Sequence, residues 1–139
     1  MGHMVRVLAL QGSLMLVVGL LCGFPYGRAI NRKSDADVVL SWRVSHSSLS
    51  AGAILIIAIA AMLPWLPTTP ALNWVTVVSL IVSSWAFTFA LTVGPALRHR
   101  GLKFEGTFGA KAVYFGNIFG AAFSLVAALA LLCSIVLSF

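Results

Sequence analysis

Of the three histidines in the chain, His46 alone stands at the margin of a long apolar run. The polar stretch Ser41-Trp42-Arg43-Val44-Ser45-His46-Ser47-Ser48 gives way to residues that are almost entirely apolar as far as Pro64. His3 lies in a leading Met1-Gly2-His3-Met4 that reads as a cloning remnant, and His99 sits in the basic run Arg98-His99-Arg100. An ionisable side chain at the edge of the hydrocarbon is costly without a partner, which makes it a functional-site hypothesis by default. A neutral imidazole there can ligate a metal or a haem iron. Arg28, Arg43, Arg98 or Arg100 could hold an anionic group of the same ligand, such as a propionate. Trp42 and Arg43, one turn before the histidine, are candidates for the same contact. The structural alternative is a neutral histidine hydrogen-bonded to Ser50, one turn on, or to another helix.

What is missing narrows the chemistry. The sequence has no second histidine within an apolar run, no Cys-x-x-Cys-His, no His/Cys cluster with zinc spacing, no His-Glu-x-x-His and no carboxylate pair in a span. Membrane carriers of b type generally clamp haem between two axial side chains on facing helices. A single histidine leaves the far face of the iron open, which favours ligand binding or Lewis-acid chemistry over electron transfer. Met15 and Met62 are the remaining candidates for a sixth ligand, and Met62 falls at the opposite membrane end from His46.

The elements that must position His46 follow from composition. The 139 residues are 60% hydrophobic and 9% charged, with a mean hydropathy of +1.04; a small soluble core cannot hide that much apolar surface. The formal charge of +6 would suggest nucleic acid in a soluble protein. Here the basic residues sit in short loops between apolar runs, which is a topological signal and excludes a nucleic-acid role.

An all-α membrane protein with four transmembrane helices in an up-down bundle is the simplest fold, one domain with spans at about residues 5–25, 35–63, 72–97 and 111–138. The first run is long and followed by three more, which argues against a cleaved signal peptide. Ser34-Asp35-Ala36-Asp37 offers oxygen acceptors and negative charge where a second helix would begin. Three prolines within Pro64–Pro70 interrupt the chain, and Trp65 and Trp74 flank that uncharged loop as an interfacial belt would. Ser79, Ser83, Ser84, Thr88 and Thr92 in the third span, and Gly109, Gly116 and Gly120 towards the fourth, suit close helix packing with hydrogen bonds across it. A polar pocket wall is the sharper reading of the third-span hydroxyls.

Eight of the nine Lys and Arg residues fall in or beside the first and third loops. By the positive-inside rule residues 26–41 and 98–111 are cytoplasmic and both termini face outward. Cys22 and Cys133 then lie near opposite membrane faces, so no disulfide is expected and both read as small buried apolar residues. About 18 residues separate His46 from Pro64, roughly 27 Å of helix, which places the histidine just inside the cytoplasmic boundary.

The sequence resembles the styrene oxide isomerase family, small bacterial membrane enzymes of styrene catabolism. Gln11-Gly12-Ser13-Leu14-Met15, Trp42-Arg43-Val44-Ser45-His46-Ser47 leading to Met62-Leu63-Pro64, and Asn117-Ile118-Phe119-Gly120 carry the likeness, with Trp85-Ala86 and Gly94 in register. The resemblance implies an inner-membrane homotrimer of four-helix subunits in the lipid bilayer, with haem b near the subunit interfaces, ligated through His46 as a five-coordinate iron. It further implies that ferric iron acts as a Lewis acid on a small lipophilic aryl epoxide, with ring opening, a 1,2-hydride shift and release of an aldehyde. The apolar surround would protect the cation from capture by water.

Two departures stand beside the likeness. The family's substrate-orienting asparagine and tyrosine fall, in ungapped register, on Gly52 and Leu91, neither of which hydrogen-bonds through a side chain. Tyr114, Asn117, Thr88 and Thr92 are the polar residues that could take over, Asn117 also as a cofactor contact. The alternatives are a haem b membrane protein of the same fold with another role, such as sensing, haem handling or other small-molecule chemistry, and a cofactor-free accessory subunit.

Overall fold

The first helical segment does not stop at residue 25. In the computed structural model, which describes residues 2–66 and 69–137, α1 (Gly2–Leu21) passes through a single turn residue, Cys22, into α2 (Gly23–Asn31). The hydrogen bonds Cys22 N–H to Val18 C=O (3.0 Å) and Tyr26 N–H to Cys22 C=O (3.3 Å) carry the ladder across the junction. Pro25, third in α2, has no N–H to offer Leu21, so the ladder loses one bond there without ending. The segment expected as a loop over 26–41 is therefore mostly helical. Only residues 32–35 separate α2 from α3 (Ala36–Met62). Asp35 does take the N-cap position of α3, but its side chain makes no capping hydrogen bond.

A 3-10 turn (Leu63–Trp65) ends the second span, and Pro70 opens α4 (Pro70–Ala96), where its missing N–H costs nothing. Pro67 and Thr68 of the expected proline loop lie outside the described residues. The side chain of Thr69 caps α4 by accepting from Leu72 N–H. α5 (Phe108–Val136) is capped in the same way by Thr107, so Lys111 belongs to a helix and not to the loop.

Four helices are thus long and apolar enough to cross a membrane, Gly2–Asn31, Ala36–Trp65, Pro70–Ala96 and Phe108–Val136, and the described residues contain no strand. Between 22% and 39% of each apolar window is buried inside the chain. The rest, including Leu10, Leu14, Ile54, Leu55, Leu125 and Leu129, faces outward, as lipid permits and water does not.

Glycines record how the helices pair. A Cβ on Gly12 would sit 2.7 Å from Ile57, one on Gly19 2.8 Å from the Ser50 backbone nitrogen, and one on Gly23 3.4 Å from the His46 ring. As numbers rise on α1 and α2 they fall on α3, which is antiparallel register at close approach. Gly109 against Leu97, Gly116 against Ala90 and Gly120 against Phe87 give the same record for α5 and α4. α1 packs chiefly on α3 and α5 chiefly on α4, with lesser contacts joining α4 to α1 and α3. Leu8, Met15, Leu49, Ala53, Ile56, Val77, Leu80 and Ala127 fill the core where they meet.

The hydroxyls of the third span mostly serve their own helix. Thr76, Ser84 and Thr92 donate to carbonyls three or four residues back. Two serines cross between helices: Ser83 to the Gly120 carbonyl at 2.8 Å, and Ser45 on α3 to the Leu91 carbonyl. Cys22 is buried as expected, whereas Cys133 is exposed on the outer face of α5.

Candidate functional site

His46 is reached from the α1–α2 side. Its Nδ1 lies 2.8 Å from the Gly19 carbonyl oxygen. A carbonyl can only accept, so Nδ1 carries the proton and Nε2 holds the lone pair. Nε2 makes no hydrogen bond among the described residues. The ring of Tyr26 stacks on the imidazole, with centroids 6.3 Å apart and planes inclined by 21°. Of the two partners offered by the structural alternative, Ser50 is not used, its Oγ being buried and bonded to nothing, whereas the bond to Gly19 on α1 is the expected bond to another helix.

This geometry depends on one small residue. At Gly19 a Cβ would meet the backbone nitrogen and Oγ of Ser50 at 2.8 and 2.9 Å, so only glycine lets α1 approach until its carbonyl reaches the imidazole. Gly23, one turn further, stands beside the ring, where a Cβ would make ordinary contact at 3.4 Å. Sequence reading missed Tyr26 because Pro-Tyr-Gly looked like a loop, and missed Gly19 because any residue of a span offers a carbonyl. The available signal was that a proline in the first turn of a new helix needs no N–H.

The other candidate residues do not all converge on His46. Arg43, three residues before it, and Arg28, two beyond Tyr26, are both exposed. Trp42 is partly buried against the core. At about 100° per residue, Ser41 and Asp37 lie roughly 140° and 180° around α3 from the histidine. Arg98 lines a cavity with those two residues, on the opposite face of α3. Asn117 spends its amide donors on the carbonyls of Arg100 and Gly101, at 3.3 and 3.2 Å, and so tethers the loop between α4 and α5. Tyr114 joins an aromatic group with Phe104 and Phe115, where Lys111 Nζ stands 5.2 Å over the Phe104 ring. Thr88 lines a cavity of about 20 Å³ with Gln11, Met15, Ser84 and Trp85, room for one water. Gly52 is backed by Met15, whose Cε would lie 3.0 Å from a Cβ there.

No three His, Cys, Asp or Glu side chains come together among the described residues. A metal at His46 would therefore have to bring most of its own ligands. A porphyrin would do so, and an imidazole whose Nδ1–H is fixed by a backbone carbonyl is the side chain that would hold its metal. The residues present fit such a group.

A family model described as styrene oxide isomerase matches residues 4–136. No curated protein and no solved structure matches the chain.

Proposed function

Because the chain belongs to the styrene oxide isomerase family, we propose that it is a haem b-dependent membrane isomerase that converts a lipophilic aryl epoxide to an aldehyde. The observation that carries this reading is the hydrogen bond from His46 Nδ1 to the Gly19 carbonyl. It presents Nε2 as a lone-pair donor at the edge of a span and makes the imidazole a stronger ligand.

When bound, haem b supplies a ferric Lewis acid for the epoxide oxygen, with no net redox change. The chain's own residues do the rest. His46 would hold the iron, its tautomer set by Gly19 and its face covered by Tyr26. Arg28 and Arg43, both exposed, would hold the propionates; Arg98, on the far face of α3, is left out of this role. The apolar walls of the spans admit a lipophilic epoxide and keep water from adding to the opened ring. The cavities of about 20 and 40 Å³ between the helices are too small for an aryl epoxide, and the larger one between α3 and α4, about 260 Å³, is lined by Asp37, Ser41, Arg98 and Arg100 on the face away from His46. That favours a substrate pocket completed by neighbouring copies, as in a homotrimer.

Gly52 and Leu91, where the family's orienting asparagine and tyrosine fall, favour one second reading: a haem-binding relative with different chemistry. Visible spectra of the detergent-purified protein, oxidised and dithionite-reduced, together with a styrene oxide turnover assay, separate the two. A Soret band with phenylacetaldehyde formation is the expected result. A Soret band without product selects the second reading, and no Soret band after haem is supplied removes both.

A further inference from the structure

Asp37, Val38 and Ser41 at the start of α3 share a cavity of about 260 Å³ with Pro95, Arg98 and Arg100 at the end of α4. The chain has three acidic residues against nine Lys and Arg, yet Asp37, which lines this cavity with two exposed arginines, is not paired with either. No carboxylate among the described residues lies within 4.0 Å of a basic nitrogen. Opposite charges thus line one cavity without touching.

The backbone holds this arrangement at a cost. Arg98 has φ of 57°, a conformation that side-chain-bearing residues rarely take and that helix ends usually give to glycine. Two hydrogen bonds lock it there, Arg98 N–H to Pro95 C=O at 3.1 Å and His99 N–H to Gly94 C=O at 2.8 Å. A glycine would close the helix more easily but would bring no guanidinium to the cavity. Ser41 donates its hydroxyl proton to the Asp37 backbone carbonyl at 2.7 Å, which leaves its oxygen free to accept.

We propose that this cavity binds the phosphoethanolamine headgroup of a membrane phospholipid, with the phosphate on Arg98 and Arg100 and the ammonium on Asp37 and Ser41. Two guanidiniums suit a phosphate, and a carboxylate with a hydroxyl acceptor suits a primary ammonium. At about 30 Å³ per water, the cavity holds roughly nine waters; the headgroup has about as many non-hydrogen atoms. Leu40 and Leu97, each next in the chain to a lining residue, are exposed and apolar, as contact with acyl chains requires. A phosphocholine group lacks the N–H donors that Asp37 calls for, and a phosphoglycerol group leaves that carboxylate beside a net negative ligand.

The test is native mass spectrometry of the full chain in detergent, equilibrated with equal amounts of phosphatidylethanolamine, phosphatidylcholine and phosphatidylglycerol. The parent is expected to retain phosphatidylethanolamine over the other two by about tenfold. Asp37→Asn should move the preference to phosphatidylglycerol. Arg98→Gly, which relieves the backbone and keeps the fold, should lose retention of both, as should Arg100→Gln. Equal retention of the three lipids by the parent, or the parent's profile in Asp37→Asn and Arg98→Gly, would overturn the proposal. Soluble phosphoethanolamine added as a competitor should displace the lipid; binding of the soluble compound where the lipid does not bind would overturn the lipid assignment.

Discussion

His46 and Gly19 are 27 positions apart in the chain, and a 2.8 Å contact between the imidazole Nδ1 and the glycine carbonyl ties the second span to the first. One bond does two jobs. It fixes the tautomer of the histidine, and it sets how near α1 stands to α3.

The first job predicts the behaviour of the histidine variants. His46→Ala should abolish the Soret band of the purified protein, while His99→Ala, on the loop after α4, should retain it. Full haem occupancy in His46→Ala would sink the assignment of the axial ligand.

The second job predicts that Gly19→Val acts on both stability and ligation. Its Cβ would meet the Ser50 backbone nitrogen at 2.8 Å, and backbone cannot step aside, so about 1–3 kcal/mol is lost. Thermal unfolding in detergent should show a lowered midpoint, and haem titration a weakened affinity. A variant with the parent's midpoint and affinity would mean that α1 is not held at this distance.

Tyr26 acts through its ring. Tyr26→Phe keeps the stacking on His46 and should leave haem affinity unchanged, whereas Tyr26→Ala should weaken it about fivefold, corresponding to roughly 1 kcal/mol for an aromatic pair. Equal affinities for the alanine and phenylalanine variants would remove Tyr26 from the site.

The α4–α5 pairing offers a comparison of two small changes. Ser83→Ala deletes the 2.8 Å bond to the Gly120 carbonyl and should cost only about 0.6 kcal/mol, as interhelical bonds in bilayers do. Gly120→Ala places a methyl group 2.8–2.9 Å from the Phe87 ring and should cost more, about 1–3 kcal/mol. Unfolding of both variants in the same detergent gives the order directly, and the reverse order would contradict close packing at Gly120.

Substrate orientation is tested by adding what the chain lacks. Leu91→Tyr, alone or with Gly52→Asn, should raise the rate of aldehyde formation per haem. A side chain at Gly52 first meets Met15 Cε, the free end of a flexible residue, so the double variant is expected to fold. Unchanged turnover with haem intact would show that the epoxide is oriented by other groups.

The four spans were legible because about 20 apolar residues in a row are a one-dimensional signal. Asp35 likewise marked a helix start by local chemistry alone, whereas the caps Thr69 and Thr107 went unread beside the prolines and the basic loop. His46 stood out by residue type and depth. Its partner did not, since any residue has a carbonyl, and only the approach of two helices selects that of Gly19. Asn117 misled for a related reason: its amide looked available, but the loop that folds back over α5 had already claimed it. Cys133 was expected inside because cysteine is small and apolar, yet lipid accepts such a residue as readily as a core does.

The preference of α1 for α3 and of α5 for α4 has a consequence for biogenesis. Each strong pairing joins spans that are consecutive in synthesis, so the first hairpin can close in the bilayer before α5 has been made. The last event is then the meeting of two finished hairpins along the line from Ser45 to Leu91, and not a search among four separate helices.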